Sequence, residues 1–120
     1  ELPDERHFAM AREDFRSFIE ALPGMFAATI VLQVIRDPET QRSWGLQVKR
    51  IDAYSKLSSF GVRSGDVIVA IGEQQIRSHA DIDMAMKQTF RDFIDIEVVR
   101  GDESIYFVIE AGAESPARKD

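Results

Sequence analysis

The spacing of apolar residues divides the chain into helical and extended segments. From Phe8 to Leu22, apolar side chains recur every three or four residues. This pattern predicts an amphipathic helix that opens near Asp4 and is stopped by Pro23-Gly24. The run over residues 27–36 is mostly apolar, as in a strand that is covered on both faces or lies under a helix.

The middle of the chain carries the densest set of local structural signals. Leu46 and Val48 alternate with polar neighbours, which indicates a half-buried strand. Ser55 is placed to cap a single helical turn, and Gly61 can end that turn in a left-handed conformation. A tight turn over residues 64–66 then leads into a short apolar strand. We therefore predict the order strand, helical turn, strand for this region.

The last third of the chain predicts one more helix and a hairpin. Ser78 and Asp81 are spaced as a capping box that opens a helix over about residues 78–93. Alternating apolar residues over 94–98 and 105–109 then predict two strands that pair through a turn. The complete order is helix, strand, strand, short helix, strand, helix, strand, strand, which is an α+β arrangement.

Composition narrows the possible functions. The chain has 120 residues, a net charge of −6 and no cysteine. The negative charge argues against nonspecific binding to nucleic acid, and the lack of cysteine removes disulfides and thiolate metal sites. The sequence holds no apolar run of the length that a membrane span requires. Because the chain starts at Glu1 without a signal peptide, we expect it to be cut from a longer protein.

Catalytic chemistry is not indicated. His7 and His79 are the two histidines, and neither belongs to a nucleophile motif or to a metal-ligand spacing. Asp81 and Asp83 are two residues apart on a predicted helix, so their carboxylates diverge and cannot work as an acid–base pair. We predict that the domain is not an enzyme and needs no cofactor.

Three motifs together resemble a PDZ domain of the bacterial kind. They are Gly61-Val62, Gly65-Asp66-Val67-Ile68 and the helix opening Ser78-His79-Ala80-Asp81-Ile82. The hairpin at the C-terminus resembles the circular permutation of bacterial members. The resemblance implies a small, partly open antiparallel barrel capped by two helices, here with an extra N-terminal helix. The expected divisions are the helix at 1–22, the PDZ domain at 23–111 and a flexible tail at 112–120.

PDZ domains bind extended peptides by adding them as a strand to an open sheet edge beside a helix. The resemblance places that edge at residues 27–34 and the helix wall at residues 78–93. In the family, a glycine-rich loop before the edge strand cradles a terminal carboxylate with its amides. The matching residues 23–26 hold one glycine and a proline, which departs from that pattern. The implied peptide-binding residues are Gly24, Met25, Phe26, Ala27, Ala28, Thr29 and Ile30 on the strand side, and His79, Asp83 and Met86 on the helix.

A longer match points to one branch of the family. The helix at Arg12–Phe15, the strand Gly45–Val48 and the Gly65–Ile68 turn look like general secretion pathway protein C of type II secretion systems. The turn at Ile71–Glu73 departs from the Asn-Gly that this family usually has. The likeness implies a periplasmic recognition module for exoproteins or secretion components, with a membrane anchor outside this sequence.

Two other roles stay open at this stage. The domain could be a regulatory, substrate-sensing PDZ domain of an HtrA-type serine protease or of a membrane-embedded zinc protease. It could also be a scaffold that dimerises through the apolar stripe of its first helix. The sequence does not identify the ligand or the oligomeric state.

Overall fold

The computed structural model describes residues 4–112, which form one mixed sheet with three helices. In the sheet, neighbouring strands follow the order β1-β7-β6-β4-β3-β2, and β5 pairs with β4. The pairs are antiparallel, except that β1 runs parallel to β7. The elements are β1 Asp4–Met10, α1 Arg12–Ala28, β2 Ile30–Arg36, β3 Ser43–Ile51, α2 Lys56–Phe60, β4 Val67–Ile71, β5 Gln74–Gln75, α3 His79–Ala85, β6 Phe93–Arg100 and β7 Glu103–Ala111.

The predicted helix over residues 4–22 is wrong in both of its bounds. Residues 4–10 form β1, in which Phe8 and Met10 face the core while Glu5 and His7 are exposed. The helix begins only at Arg12. Apolar residues with period two and apolar residues with period 3.6 overlap in this segment, and pairing with β7 decides in favour of the strand.

Helix α1 also passes through Pro23-Gly24 and ends at Ala28. A proline inside a helix costs about 3 kcal/mol because it removes one hydrogen bond and crowds the preceding turn. Beyond Pro23 the helix buries Phe26 and packs Met25 against the core, and burying such a side chain contributes roughly 1.5–3 kcal/mol. The core contact on the far side of Pro23 is therefore large enough to offset the break.

Strand β2 accordingly starts at Ile30 and not at Ala27. Thr29 lies between helix and strand, with its backbone N–H donating to the Met25 carbonyl at 2.9 Å and its hydroxyl donating to the same oxygen at 2.7 Å. The Thr29 hydroxyl also lies 3.1 Å from the Ser55 hydroxyl, which ties the end of α1 to the start of α2.

Helix α3 is shorter than the predicted helix over residues 78–93. Ser78 is its N-cap, as predicted, and its hydroxyl accepts from the Asp81 amide. After Ala85 the turn tightens, with the Lys87 amide donating to the Met84 carbonyl and the Gln88 amide to the Ala85 carbonyl. The Gln88 side chain also donates to the Ile71 carbonyl at 2.9 Å and to the Ala85 carbonyl at 3.2 Å. The rest of the predicted helix, up to residue 92, connects α3 to β6.

The local signals in the middle of the chain are confirmed. The Ser55 hydroxyl accepts from the Leu57 amide, and Gly61 ends α2 with a φ of 114°. Asp66 is 1% exposed, and its carboxylate accepts from the Arg63 amide at 2.9 Å. The same carboxylate accepts from Nε and Nη2 of Arg100 at 2.7 and 2.9 Å.

The core lies between α1 and the sheet, and includes Leu22, Leu46, Ile71, Ile96 and Phe107. No helix in residues 4–112 is long and apolar enough to cross a membrane. The expected tail falls outside the described residues from position 113 onward, and the division into domains stays a prediction.

Candidate functional site

Strand β2 is an open edge of the sheet. It pairs with β3 on one side, and no strand among residues 4–112 pairs with its other side. Leu32 and Val34 are half-buried and pack against the core, while Val31 and Gln33 are exposed. The edge carries no charged side chain from Ile30 to Ile35. Its free backbone groups can therefore accept another extended segment without a charge in the way.

Strand β1 forms the other end of the sheet and is protected by charge. The His7 ring lies 2.6 Å from a Glu110 carboxylate oxygen through Nδ1 and 3.0 Å from a Glu5 oxygen through Nε2. These two hydrogen bonds, the one to Glu110 first, raise the pKa of His7 above its ordinary value. Charged side chains along an edge strand disfavour pairing with further strands.

Helix α3 carries the residues that were predicted for the second wall of the groove. His79, Asp83 and Met86 are spaced so that they share one side of the helix. His79 and Asp83 are exposed, whereas Met86, at the C-cap, is half-buried and packs against the core. Met84, on the same helix, is 53% exposed. The predicted contact of this side with a ligand stays a prediction.

The start of β2 differs from what the resemblance implied. Residues 24–28 form the last turns of α1, where helical hydrogen bonding directs each backbone amide back to a carbonyl of the preceding turn. Those amides are therefore not free to cradle a carboxylate. The end of a helix instead presents carbonyl oxygens and a partial negative charge, and the last turn of α1 holds no basic residue.

The predicted strand-side residues thus lie on three parts of the fold, namely α1, its C-cap and β2. Gly24, Ala27 and Ala28 are exposed on α1, whereas Met25 and Phe26 are turned toward the interior. Thr29 is the C-cap of the helix, and Ile30 is the buried first residue of β2. Ile30 alone therefore lies in the open edge strand, and a role in binding stays a prediction for the whole set.

Sequence reasoning missed a cleft at the other end of β2. This cleft of about 680 Å³ is lined by Asp37, Thr40, Arg42, Ser43, Trp44 and Arg77. It lies between the β2–β3 hairpin and the segment that leads into α3. Trp44 is 41% exposed, and a tryptophan in a short polar segment with an arginine nearby was the available signal.

Two further clefts flank the segment that joins α3 to β6. One lies against Gly72 and Glu73, and the other lies against α1 at Phe15 and Ile19. Burial raises the pKa of Asp95 in the first of these, and Glu73 adds to the effect. Among residues 4–112, no group of three histidine, aspartate or glutamate side chains is placed to hold a metal ion.

Comparison with solved structures identifies this mixed sheet with its three helices as a PDZ fold. The PDZ domain of EpsC from Vibrio cholerae is similar with a TM-score of 0.57 and 15% identity, over 82% of this chain and 95% of that one. The HtrA3 PDZ domain, solved with the phage-derived ligand FGRWV, is similar with a TM-score of 0.53 and 22% identity, over 68% of this chain and 80% of that one.

Sequence comparison gives one relative. A probable periplasmic serine protease, do/HhoA-like, of Haemophilus influenzae is 24% identical over 89 residues, which is 74% of this chain. The chain spans 18% of the length of that relative. No family model matches the chain. The predicted α+β, PDZ-like fold and the resemblance to bacterial PDZ domains are therefore confirmed, with the extra N-terminal element corrected to a strand followed by a helix.

Proposed function

We propose that this domain is a non-enzymatic interaction module that binds extended segments of other proteins along β2. The observation that carries the proposal is the contrast between the two ends of the sheet. The β2 edge is uncharged from Ile30 to Ile35, whereas the β1 edge carries the cluster of Glu5, His7 and Glu110. Backbone hydrogen bonds to an added strand would supply affinity, and side-chain pockets would supply specificity.

The bound segment is an internal stretch of its protein and does not need a free C-terminus. In a carboxylate-reading domain, backbone amides would face the ligand where β2 begins. Here the segment before β2 is helical up to Ala28, and Thr29 directs both its N–H and its hydroxyl to Met25. A terminal carboxylate would meet the negative end of α1 at that point.

The biological setting that we favour is the periplasm, in a type II secretion system, with exoproteins or secretion components as partners. The support is the likeness to the EpsC domain, which covers more of both chains than the likeness to HtrA3 does. The alternative is a regulatory domain of an HtrA-type or membrane-embedded protease, and the Haemophilus relative supports it. The sequence upstream of Glu1 decides between the two, since a protease would carry a Gly-Asn-Ser-Gly-Gly or His-Glu-x-x-His motif there.

The direct test is an amide-shift titration of the isotope-labelled domain with heptapeptides, each made with a free and with an amidated C-terminus. We expect shifts in β2 and α3 and affinities that agree within about twofold between the two forms. A loss of binding on amidation would contradict the internal-segment proposal. Shifts confined to other strands would contradict the assignment of the groove.

Two methionines on one helix give a matched pair of variants. Met86→Arg places a charge on the half-buried side of α3 that faces the proposed groove, and should abolish peptide binding while the domain stays folded. Met84→Arg makes the same change at a side chain that is 53% exposed and should leave binding intact. Unchanged binding in the Met86→Arg variant would remove α3 from the binding site.

A further inference from the structure

The cleft beside Trp44 lies where a segment bound along β2 would leave the sheet. Asp37 follows directly after β2, Ser43 and Trp44 open β3, and Arg77 precedes the N-cap of α3. The cleft therefore connects the two proposed walls of the groove at the end opposite to α1.

The hairpin holds Trp44 out of the regular sheet. The register shifts between Ile35, which faces Gly45, and Arg36, which faces Ser43, so that Trp44 is the extra residue of a bulge. Bulges re-aim a side chain and are frequent beside binding sites. The next residue must be a glycine, because a Cβ at Gly45 would lie 2.4 Å from Cγ1 of Val67. The indole thus lies in the wall of the cleft.

The charges that line the cleft favour an anion. The one acidic lining residue, Asp37, already accepts from the backbone amides of Glu39 and Thr40 at 2.8 and 3.2 Å. The Arg42 guanidinium has no hydrogen bond or ion pair within the described part of the chain. Arg77 bonds to the neutral side chain of Gln75. Two positive charges therefore line the cleft against one negative charge, and Oδ1 of that carboxylate is held by backbone amides.

We propose that this cleft is a subsite for an acidic side chain, glutamate or aspartate, of the segment bound along β2. The carboxylate would be bound by the guanidinium groups of Arg42 and Arg77, and its aliphatic stem would lie on the Trp44 ring. Charge-assisted hydrogen bonds of this kind are among the stronger ones that a protein surface offers. The inference rests on the proposed function, because it takes the groove along β2 as the path of the ligand.

The test begins with selection of phage-displayed heptapeptides that carry Gly-Ser flanks on both sides. We expect enrichment of Glu or Asp at a constant position. Enriched peptides are then synthesised as acetylated amides with Glu or with Gln at that position. Trp44 is the single tryptophan, so its fluorescence reports binding at the cleft directly. The Glu form should bind on the order of tenfold more tightly than the Gln form, and this advantage should shrink as salt is raised.

Three variants make the assignment specific. Arg42→Gln and Arg77→Gln should each reduce the preference for Glu, and neither removes the backbone bonds of the hairpin or of the α3 cap. Arg91→Gln, at an exposed arginine on the segment after α3, is the control and should keep the full preference. N-acetylglutamate alone, added at the same concentrations, should not change the fluorescence.

The possible results separate the subsite from the function. Peptides that bind along β2 with equal affinity in the Glu and Gln forms would overturn the subsite and leave the proposed function standing. Failure to enrich any peptide would overturn the proposed function and the subsite together. A response to N-acetylglutamate equal to that of the peptides would replace the subsite by a site for free small carboxylates.

Discussion

The two outer strands of the sheet are both edge strands, but they differ in the direction of their pairing and in their side chains. Strand β1 adds to β7 in parallel, and its outward residues Glu5 and His7 form a charged cluster with Glu110. Strand β2 adds to β3, and its outward residues are Val31 and Gln33. An edge that must not pair further is protected by charge, and an edge that takes a ligand cannot be. The difference is what the proposed function expects, with β1 completing the fold and β2 accepting a partner.

The largest effect that we expect from this comparison is a loss in the free energy of unfolding when β1 is weakened. Phe8 anchors β1 through its ring, whose centroid lies 5.0 Å from that of Phe60. Phe8→Ala should lower the free energy of unfolding by roughly 2 kcal/mol, less than for a fully buried phenylalanine because the site is half-buried. Urea titration measures the change.

The same substitution at Phe93, which is 53% exposed on β6, serves as the control for Phe8→Ala. It should cost about 0.5 kcal/mol or less. A loss at Phe8 no larger than the loss at Phe93 would mean that β1 contributes little to the fold.

The next effect concerns ligand binding at β2. The double substitution Val31→Lys, Gln33→Glu gives β2 the kind of charged outer face that β1 has. Because both side chains are exposed, the free energy of unfolding should change by no more than about 0.5 kcal/mol. Peptide affinity should fall by about three- to tenfold, as measured by amide-shift titration.

The matched change on the other edge is Ala9→Lys, at an exposed position of β1. It should leave peptide affinity unchanged. If Ala9→Lys weakened binding as much as the double substitution on β2, the ligand would be using β1, and the contrast between the two edges would be wrong.

The smallest effect is a pH dependence at β1. The pKa of His7 in the folded chain is raised above its ordinary value of 6.5 by the hydrogen bonds to Glu110 and Glu5. The folded state therefore binds the proton more tightly than the unfolded state does, so the stabilisation is complete below pH 6.5 and is lost as the pH rises through the raised pKa.

Thermal unfolding between pH 6 and pH 9 measures this effect. The melting temperature of the native chain should fall slightly more across this range than that of His7→Gln, because the side chain is exposed and solvent screens its charge. Parallel curves for the two chains would show that the ion pairs do not stabilise β1.

The sequence by itself determined the middle of this protein. The N-cap at Ser55, the left-handed Gly61 and the backbone bond of Asp66 each depend on residues within a few positions of one another. Local preferences of this kind act in any surrounding structure, which is why the strand, helical turn and strand of this region, and the PDZ fold, could be predicted. The cap of α3 at Ser78 could be predicted for the same reason.

Tertiary structure decided the fold of residues 4–28. The partner of β1 is β7, at the far end of the chain. Helix α1 continues past Pro23 because Met25 and Phe26, which follow the proline, pack in the core. The sequence around these residues contains a helical pattern and a strand pattern at once, and only the available partners choose between them.

The cleft shows the same division at the level of single side chains. Trp44 lies in a bulge whose position depends on the pairing of β2 with β3, and Arg77 reaches the cleft because β5 and α3 fold back beside that hairpin. Local sequence sets the conformation of each segment. The juxtaposition of residues that are distant in the chain depends on burial and strand register, which are properties of the whole fold.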